Sequence, residues 1–398
     1  MILAFGILFG TEVRAMHLQH PLSTKISPVT MAWLIMAIVC DFLAVPASAV
    51  TIPDIERAWR DRAARFQSVQ IKWHESRFIP MGGIRGIEQS PFGGSTTSVP
   101  PEDVRHEYDA KLTIHGAMLR YETTEPVWNG SLNQFAPLEI TSAFDGTTGT
   151  QLTRFTTAPR FPLKGHIADS PRLMTMLSAT KPVLYAFSPQ SDAMEGLRHY
   201  IVTPRPRALD ESTCTVLLDT RSQGALRRTL WVDAARNFVV RRWQSTLGST
   251  VLSQTDVYYE HDPLRGQLPK KWKSVEYSGG GLITRAVEAQ VTEAIFDVPV
   301  DLARFRIEFP TGTIVIGQMP DGAETKSYVR TDGSMRPVTR EELLRRVSAD
   351  ELERTNPGEA GLDRDQTVLW MWALTIVLFA IACASALWMW RRWESKTA

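Results

Sequence analysis

Residues 282–296, LITRAVEAQVTEAIF, decide the fold. Ile283, Val287, Ala289, Val291 and Ile295 fall on one side of an extended chain, and Thr284, Glu288, Gln290 and Thr292 on the other. Successive side chains of a strand point to opposite faces, so this stretch predicts a sheet with one dry face and one wet face. Working back from it, 213–219, 225–232, 238–245, 251–259 and 270–277 also read as strands, separated by short polar turns. Short turns imply an antiparallel meander, because parallel neighbours need a long crossover.

The first half of the chain repeats the pattern. Thr51-Ile52-Pro53-Asp54 reads as a helix start, with Thr51 as N-cap and Pro53 in the first turn. Ile55, Ala58, Trp59, Ala63 and Phe66 then recur at helical spacing and leave Arg57, Arg60, Asp61 and Arg65 on the wet side. Strands are predicted over 69–78, 104–114, 117–123, 138–144 and 150–155, with Asp145-Gly146 as a hairpin turn. The Gly/Ser/Pro-rich stretch 80–101 reads as a long loop. A short helix is expected within 171–187, limited by Pro182. One more extended pair is expected over 305–316, and Thr339-Arg340-Glu341-Glu342 fits a capping box that opens an amphipathic helix toward Leu352. So much sheet and so few helices predict a mainly β (α+β) fold, a strongly curved antiparallel sheet packed on one or two helices.

Both ends carry targeting features. Ala32–Val45 is mostly apolar, Lys25 lies upstream, and Pro46-Ala47-Ser48-Ala49 places small residues at −3 and −1, the layout of a secretory signal cleaved after Ala49. Asp41 interrupts it, Met16 is an alternative start, and an uncleaved anchor is the other reading. Val368–Trp390 contains no charged side chain, and as a helix it rises about 35 Å, enough to cross a hydrocarbon core of about 30 Å. Trp370, Trp372, Trp388, Trp390 and Trp393 sit at its ends, and Arg391, Arg392 and Lys396 favour a cytoplasmic tail. The expected organisation is therefore a signal peptide at 1–49, a β domain at 50–320, a turn, amphipathic helix and linker at 321–366, a membrane helix at 367–390 and a tail at 391–398. The main domain is expected outside the cytoplasm, on a single-pass protein of the cytoplasmic membrane.

Composition narrows the function classes. Of three cysteines, Cys40 falls in the leader and Cys383 in the span, so Cys214 has no partner for an internal disulfide. The net charge of +1 gives no electrostatic case for nucleic acid. The sequence holds no Gly-x-Ser-x-Gly elbow, His-Glu-x-x-His pair, Walker-type loop or dinucleotide fingerprint. His74-Glu75 lies in a predicted strand, so the two side chains point apart. Gly279-Gly280-Gly281 joins two strands and needs only turn duty. On strands, the pairs Arg227-Arg228 and Arg241-Arg242 are expected to split between faces. No catalytic residue, metal site or cofactor is implied, and the protein is not expected to be an enzyme.

The aromatic supply leaves two readings open. Trp73, Phe144, Trp231, Trp243, Tyr258 and Trp272 lie on predicted strands and either fill an ordinary β core or line a concave apolar groove for a lipid or acyl chain. The order of parts resembles the LolA-like group of periplasmic lipoprotein carriers. The likeness is carried by the leading helix and the strand bearing Ile71, Trp73 and Glu75, then by the Ala143-Phe144-Asp145-Gly146 turn. It continues through Leu230-Trp231-Val232-Asp233 with Val239, Arg241 and Trp243, and through Leu268-Pro269-Lys270-Lys271-Trp272. Phe309-Pro310-Thr311-Gly312-Thr313 is similar to exported planctomycete-type relatives of that group. The resemblance covers about 50–320 and implies a half-open antiparallel barrel closed by helices, with an apolar interior for acyl chains; RseB-type relatives use the same half-barrel as an envelope-stress sensor. An anchored chain cannot shuttle between membranes. The expected role is thus a fixed receptor, acceptor or sensor for a lipid, an acylated protein or another hydrophobic ligand. The alternative is a structural or signalling protein with a self-filled barrel and an envelope protein as partner.

Overall fold

A computed structural model of the chain describes residues 50–82, 88–89, 95–96, 101–129, 133–157, 163–169, 179–189, 196–221, 224–318, 324–345 and 347–357, with 370, 372–376, 378 and 385. Helix α1 (Ile52–Ala63) comes first, capped as expected. The Asp54 amide donates to the Thr51 hydroxyl at 3.4 Å and the Thr51 amide donates to Asp54 Oδ2 at 3.1 Å, which satisfies two otherwise orphaned donors. Ile55, Trp59 and Arg62 are its buried residues.

Strand β1 (Ser68–Ile79) follows, then the two-residue strands β2 (Glu88–Gln89) and β3 (Ser95–Thr96), which pair with each other. Next come β4 (Val104–His115), β5 (Met118–Asn129), β6 (Gln134–Phe144), β7 (Gly149–Phe155) and β8 (Lys164–Ala168). Helix α2 (Lys181–Phe187) has Pro182 in its first turn, where a missing amide costs nothing, so the proline starts this helix. The second meander runs through β9 (Tyr200–Val202), β10 (Arg207–Leu209), β11 (Ser212–Asp219), β12 (Leu226–Asp233), β13 (Val239–Leu247), β14 (Thr250–Asp262), β15 (Gly266–Tyr277) and β16 (Ile283–Phe296). Strands β17 (Ile314–Gln318), β18 (Glu324–Val329) and β19 (Met335–Pro337) and helices α3 (Arg340–Leu344) and α4 (Ala349–Arg354) complete the described fold.

Hydrogen bonding joins these strands, β2 and β3 apart, into one 17-stranded sheet. Strand β1 lies between β16 and β4, so the last strand of the second meander closes on the first strand of the chain. From β1 one arm runs through β4, β5, β6, β7 and β8 to β17, β18 and β19. The other runs back from β16 to β11, with β9 and β10 both on its far edge. The sheet is open and mixed, not purely antiparallel as expected. Strand β17 runs parallel to β8, and the intervening second meander supplies the long crossover such a pair needs. Register shifts at Lys72/Trp73, Trp231/Val232, Ser245/Thr246, Tyr258/Tyr259 and Glu276/Tyr277 bend their strands and tighten the local twist. The result is consistent with a curved half-barrel.

Two local expectations change. The extended pair expected over 305–316 begins instead with a 3-10 turn, Leu302–Phe305, and only its last residues join β17. The capping box at Thr339 forms, with the Thr339 amide donating to Glu342 Oε2 at 2.9 Å, but the helix stops at Leu344 and Ser348 caps a second one. The expected leader at 1–49, residues 171–178 of the short helix expected within 171–187 and most of the expected span at 368–390 lie outside the described residues. Among those described, no helix is long and apolar enough to cross a membrane.

Candidate functional site

Strand parity decides which side chains meet. On β1, Val69, Ile71, Trp73 and Glu75 are buried while Lys72 is exposed and His74 half-buried. Trp73 and Trp272 meet edge to face with centroids 5.5 Å apart, and Tyr121 stacks on Trp73 at 6.0 Å. Phe144 belongs to the same buried cluster, with Trp243 at its margin. Helix α2 packs Val183, Leu184, Ala186 and Phe187 into this inner face, and its Tyr185 ring lies 5.5 Å from Trp243 and 6.3 Å from Trp59.

Of the six predicted lining residues, the structure brings Trp73, Phe144, Trp243 and Trp272 together. Trp231 and Tyr258 lie on the outer face. Trp231 sits opposite Arg242 on β13 and between the guanidinium groups of Arg207, at 5.7 Å, and Arg242, at 5.3 Å. Tyr258 pairs with Lys271, whose ammonium lies 4.9 Å from the ring centre. Arg241 and Arg242 do not divide as expected. Arg241 is an extra residue in the β12–β13 register, so both lie away from the inward Val240 and Trp243, Arg241 buried against Asp233 at 3.7 Å and Arg242 facing Asp256. Arg227 and Arg228, near the start of β12, are both exposed. Cys214 is buried, and burial first, then Asp233, push its thiol up to about 11, so no thiolate is available at neutral pH.

The inner face also holds a polar cluster that the sequence reading missed. Two residues along from Trp73, Glu75 is 1% exposed, and it sits in register with Ala289 on one side and Tyr108 on the other. Glu75 Oε1 accepts from Arg77 Nη2 at 3.1 Å and from the Tyr108 hydroxyl. Arg77 Nη2 also donates to Glu125 Oε2 at 2.7 Å and to the Tyr108 oxygen. Burial works against the Arg77 charge, yet Glu125, Tyr108 and Glu75 together raise its pKa. Burial, then Glu75, raises that of Tyr108, and burial, then Glu125, that of Tyr121, so both phenols stay protonated. Opposite Arg77 on β4, His106 packs its ring 4.2 Å from Phe135, and burial, then Arg77, lowers its pKa.

Four buried atoms here have no hydrogen-bond partner among the described residues: Trp73 Nε1, Glu75 Oε2, Arg77 Nε and His106 Nε2. The signal for this cluster is visible once parity is applied, because Glu75 and Arg77 share the parity of Trp73 and therefore point inward. The outer face offers two depressions of about 370 and 520 Å³ that share Asp109 and Glu122. Their lining side chains are mostly polar or charged, with Ala110 in one and Ile140 in the other. Among the described residues no group of side chains has the makings of a metal site.

No protein-family model matches the chain, and no curated protein matches it in sequence. Among solved structures, a LolA superfamily protein from Nitrosomonas europaea is 12% identical, covers 63% of this chain and 96% of its own, and has a TM-score of 0.34. MucB, solved in complex with MucA(peri), is 11% identical, covers 68% of this chain and 73% of its own, and has a TM-score of 0.21. At such low overlap neither neighbour tells what this chain binds.

Proposed function

We propose that the half-barrel is a non-catalytic binding module for an amphiphile, either a lipid, an acylated protein or another hydrophobic ligand. It acts as a receptor, acceptor or sensor on the outer side of the cytoplasmic membrane. In this reading the leader delivers the domain and the apolar segment 368–390 holds it in place. The observation that supports it is the inner wall: Trp73, Tyr121, Phe144 and Trp272 face a helix of only seven residues, beside a small polar cluster with unsatisfied atoms. An apolar wall with a few convergent polar groups is the usual make-up of a ligand site. Helix α2 sits where an acyl chain would lie, so binding requires it to be displaced.

The test is uptake of a fluorescent acyl probe by the full chain in a maltoside detergent. Saturable binding that weakens in Trp73→Ala is expected; the absence of any saturable uptake sinks the proposal. One observation favours the second reading, an envelope interaction protein with a self-filled barrel: Trp73 and Trp272 are already buried to within 1% by the chain's own side chains. In-cell crosslinking dominated by one protein, with no lipid copurifying, would select it.

A further inference from the structure

The bare oxygen of Glu75 says what kind of head group the interior takes. Glu75 Oε1 is served twice, by Arg77 and by the Tyr108 hydroxyl, while Oε2, equally buried, receives nothing from the described residues. Burying a carboxylate oxygen without a donor is costly. Arg77 Nε is also unpartnered but sits on a guanidinium already committed through Nη2 to Glu75 Oε1 and Glu125, so a ligand that brings its own N–H relieves the cost. The formal charges point the same way. Two carboxylates, Glu75 and Glu125, face one guanidinium, Arg77, and the neighbouring phenols are neutral, which by formal charge leaves one carboxylate in excess among the described residues.

We propose that this cluster takes the primary ammonium head of an amphiphile, with Glu75 Oε2 as acceptor and the acyl chain laid along Trp73, Tyr121 and Trp272. The inference rests on the amphiphile-binding reading and names the ligand class for that site. A primary ammonium is specified over a quaternary one because Oε2 requires an N–H donor. An anionic head is excluded by the excess carboxylate. A lipid amine fits better than a lysine side chain of a protein partner, because the wall next to Glu75 is aromatic and apolar and matches a hydrocarbon tail. The unpartnered Trp73 indole N–H, two residues along the same face, roughly 7 Å by strand rise, sets a further condition. It calls for an oxygen acceptor on the ligand one strand period from the ammonium, such as an ester or hydroxyl.

The test is competition against the fluorescent acyl probe on the full chain in maltoside, with three competitors of equal chain length: hexadecylamine, hexadecyltrimethylammonium and palmitic acid. Hexadecylamine is expected to displace the probe at about tenfold lower concentration than the other two, the worth of one charge-assisted hydrogen bond. Glu75→Gln should lose that preference, read as the ratio of amine to acid displacement whatever its effect on probe affinity. Tyr108→Phe, which leaves the Glu75 charge in place, should keep the preference, and it serves as the deciding variant if Glu75→Gln does not fold. Equal displacement by all three, a preference that survives Glu75→Gln, or one lost in Tyr108→Phe overturns the assignment while leaving amphiphile binding intact. Displacement by a lysine-bearing peptide without an acyl chain, as effective as by the amine, overturns it in favour of a protein ligand. If the probe itself does not bind, both proposals fall together.

Discussion

Lys72 and Arg77 are both cations on β1, each paired with a carboxylate on another strand, yet they belong to different physical worlds. Lys72 lies on the outer face, 2.5 Å from Glu293, with the two side chains 46% and 41% exposed. Arg77 lies inside, 2.7 Å from Glu125, with the two side chains 13% and 15% exposed. Water screens the outer pair and competes for both partners, so such a pair contributes about 0–1 kcal/mol. The inner pair has lost most of its hydration and is held by Tyr108 and Glu75 as well. Neither charge can now be removed without stranding the others. The same ion-pair chemistry is decorative on one face and structural on the other.

The strongest way to break this distinction is to truncate an aromatic on each face. Trp272→Ala removes a side chain that is 1% exposed and in ring contact with Trp73, and should cost about 3–5 kcal/mol in urea unfolding. Tyr258→Ala on the outer face forfeits mainly its contact with Lys271 and should cost about 0.5–1 kcal/mol. Equal losses would mean that the two faces are not distinct. The charged pair sharpens the point. Arg77→Met strands two carboxylates and should cost about 3 kcal/mol, while Lys72→Met should cost about 1 kcal/mol or less. Adding Glu125→Gln to Arg77→Met should restore part of the loss, because it removes one of the stranded charges; a purely additive double variant would show that the inner cluster is not a coupled unit.

How much of this was legible in the sequence follows from which forces act locally. The extended stretch 283–296 and the cap at Thr51 are local, and both appear as β16 and the start of α1. The expected alternation holds only from Val287 to Val291: extra residues at Thr284 and Thr292 leave Ile283 45% exposed and turn Ile295 to the side of Gln70. The parallel pairing of β8 with β17 is not local. It joins segments separated by the whole second meander, and no turn signal announces it. At the site, aromatic content alone chose Trp73, Phe144, Trp243 and Trp272, which share the inner face, but it also chose Trp231 and Tyr258, which do not. Alternation within the strand separates them, since Leu230 and Val232 flank Trp231, and Val257 and Tyr259 flank Tyr258, on the inner face. What the sequence hides is the extra residue in each partner strand, Arg241 opposite the Trp231/Val232 step and Lys270 opposite Tyr258/Tyr259, because a bulge leaves little mark in sequence. Glu75 and Arg77 were visible as charges on the parity of Trp73, the one local conflict that marks the inner cluster.

Acid offers the gentlest probe of the inner face. His106 faces Arg77 across the β1–β4 ladder, and burial, then that guanidinium, lowers its pKa below the ordinary 6.5. His166 on β8 is lowered in the same direction by burial, then by Lys164. Each ring is held neutral in the folded state at a pH where the unfolded chain already binds a proton. Above 6.5 neither state is protonated and the full stability is present. As pH falls from there through the lowered folded values, the unfolded state takes up more protons and stability declines. The thermal midpoint should therefore drop modestly between neutrality and mild acid, and His106→Gln with His166→Gln should flatten that part of the profile. A midpoint that rises as pH falls through this window would mean that His106 is charged in the folded protein. Arg77 would then be sharing its surroundings with a second cation, which the excess of carboxylate inside the cluster permits only if Glu75 or Glu125 turns toward the ring.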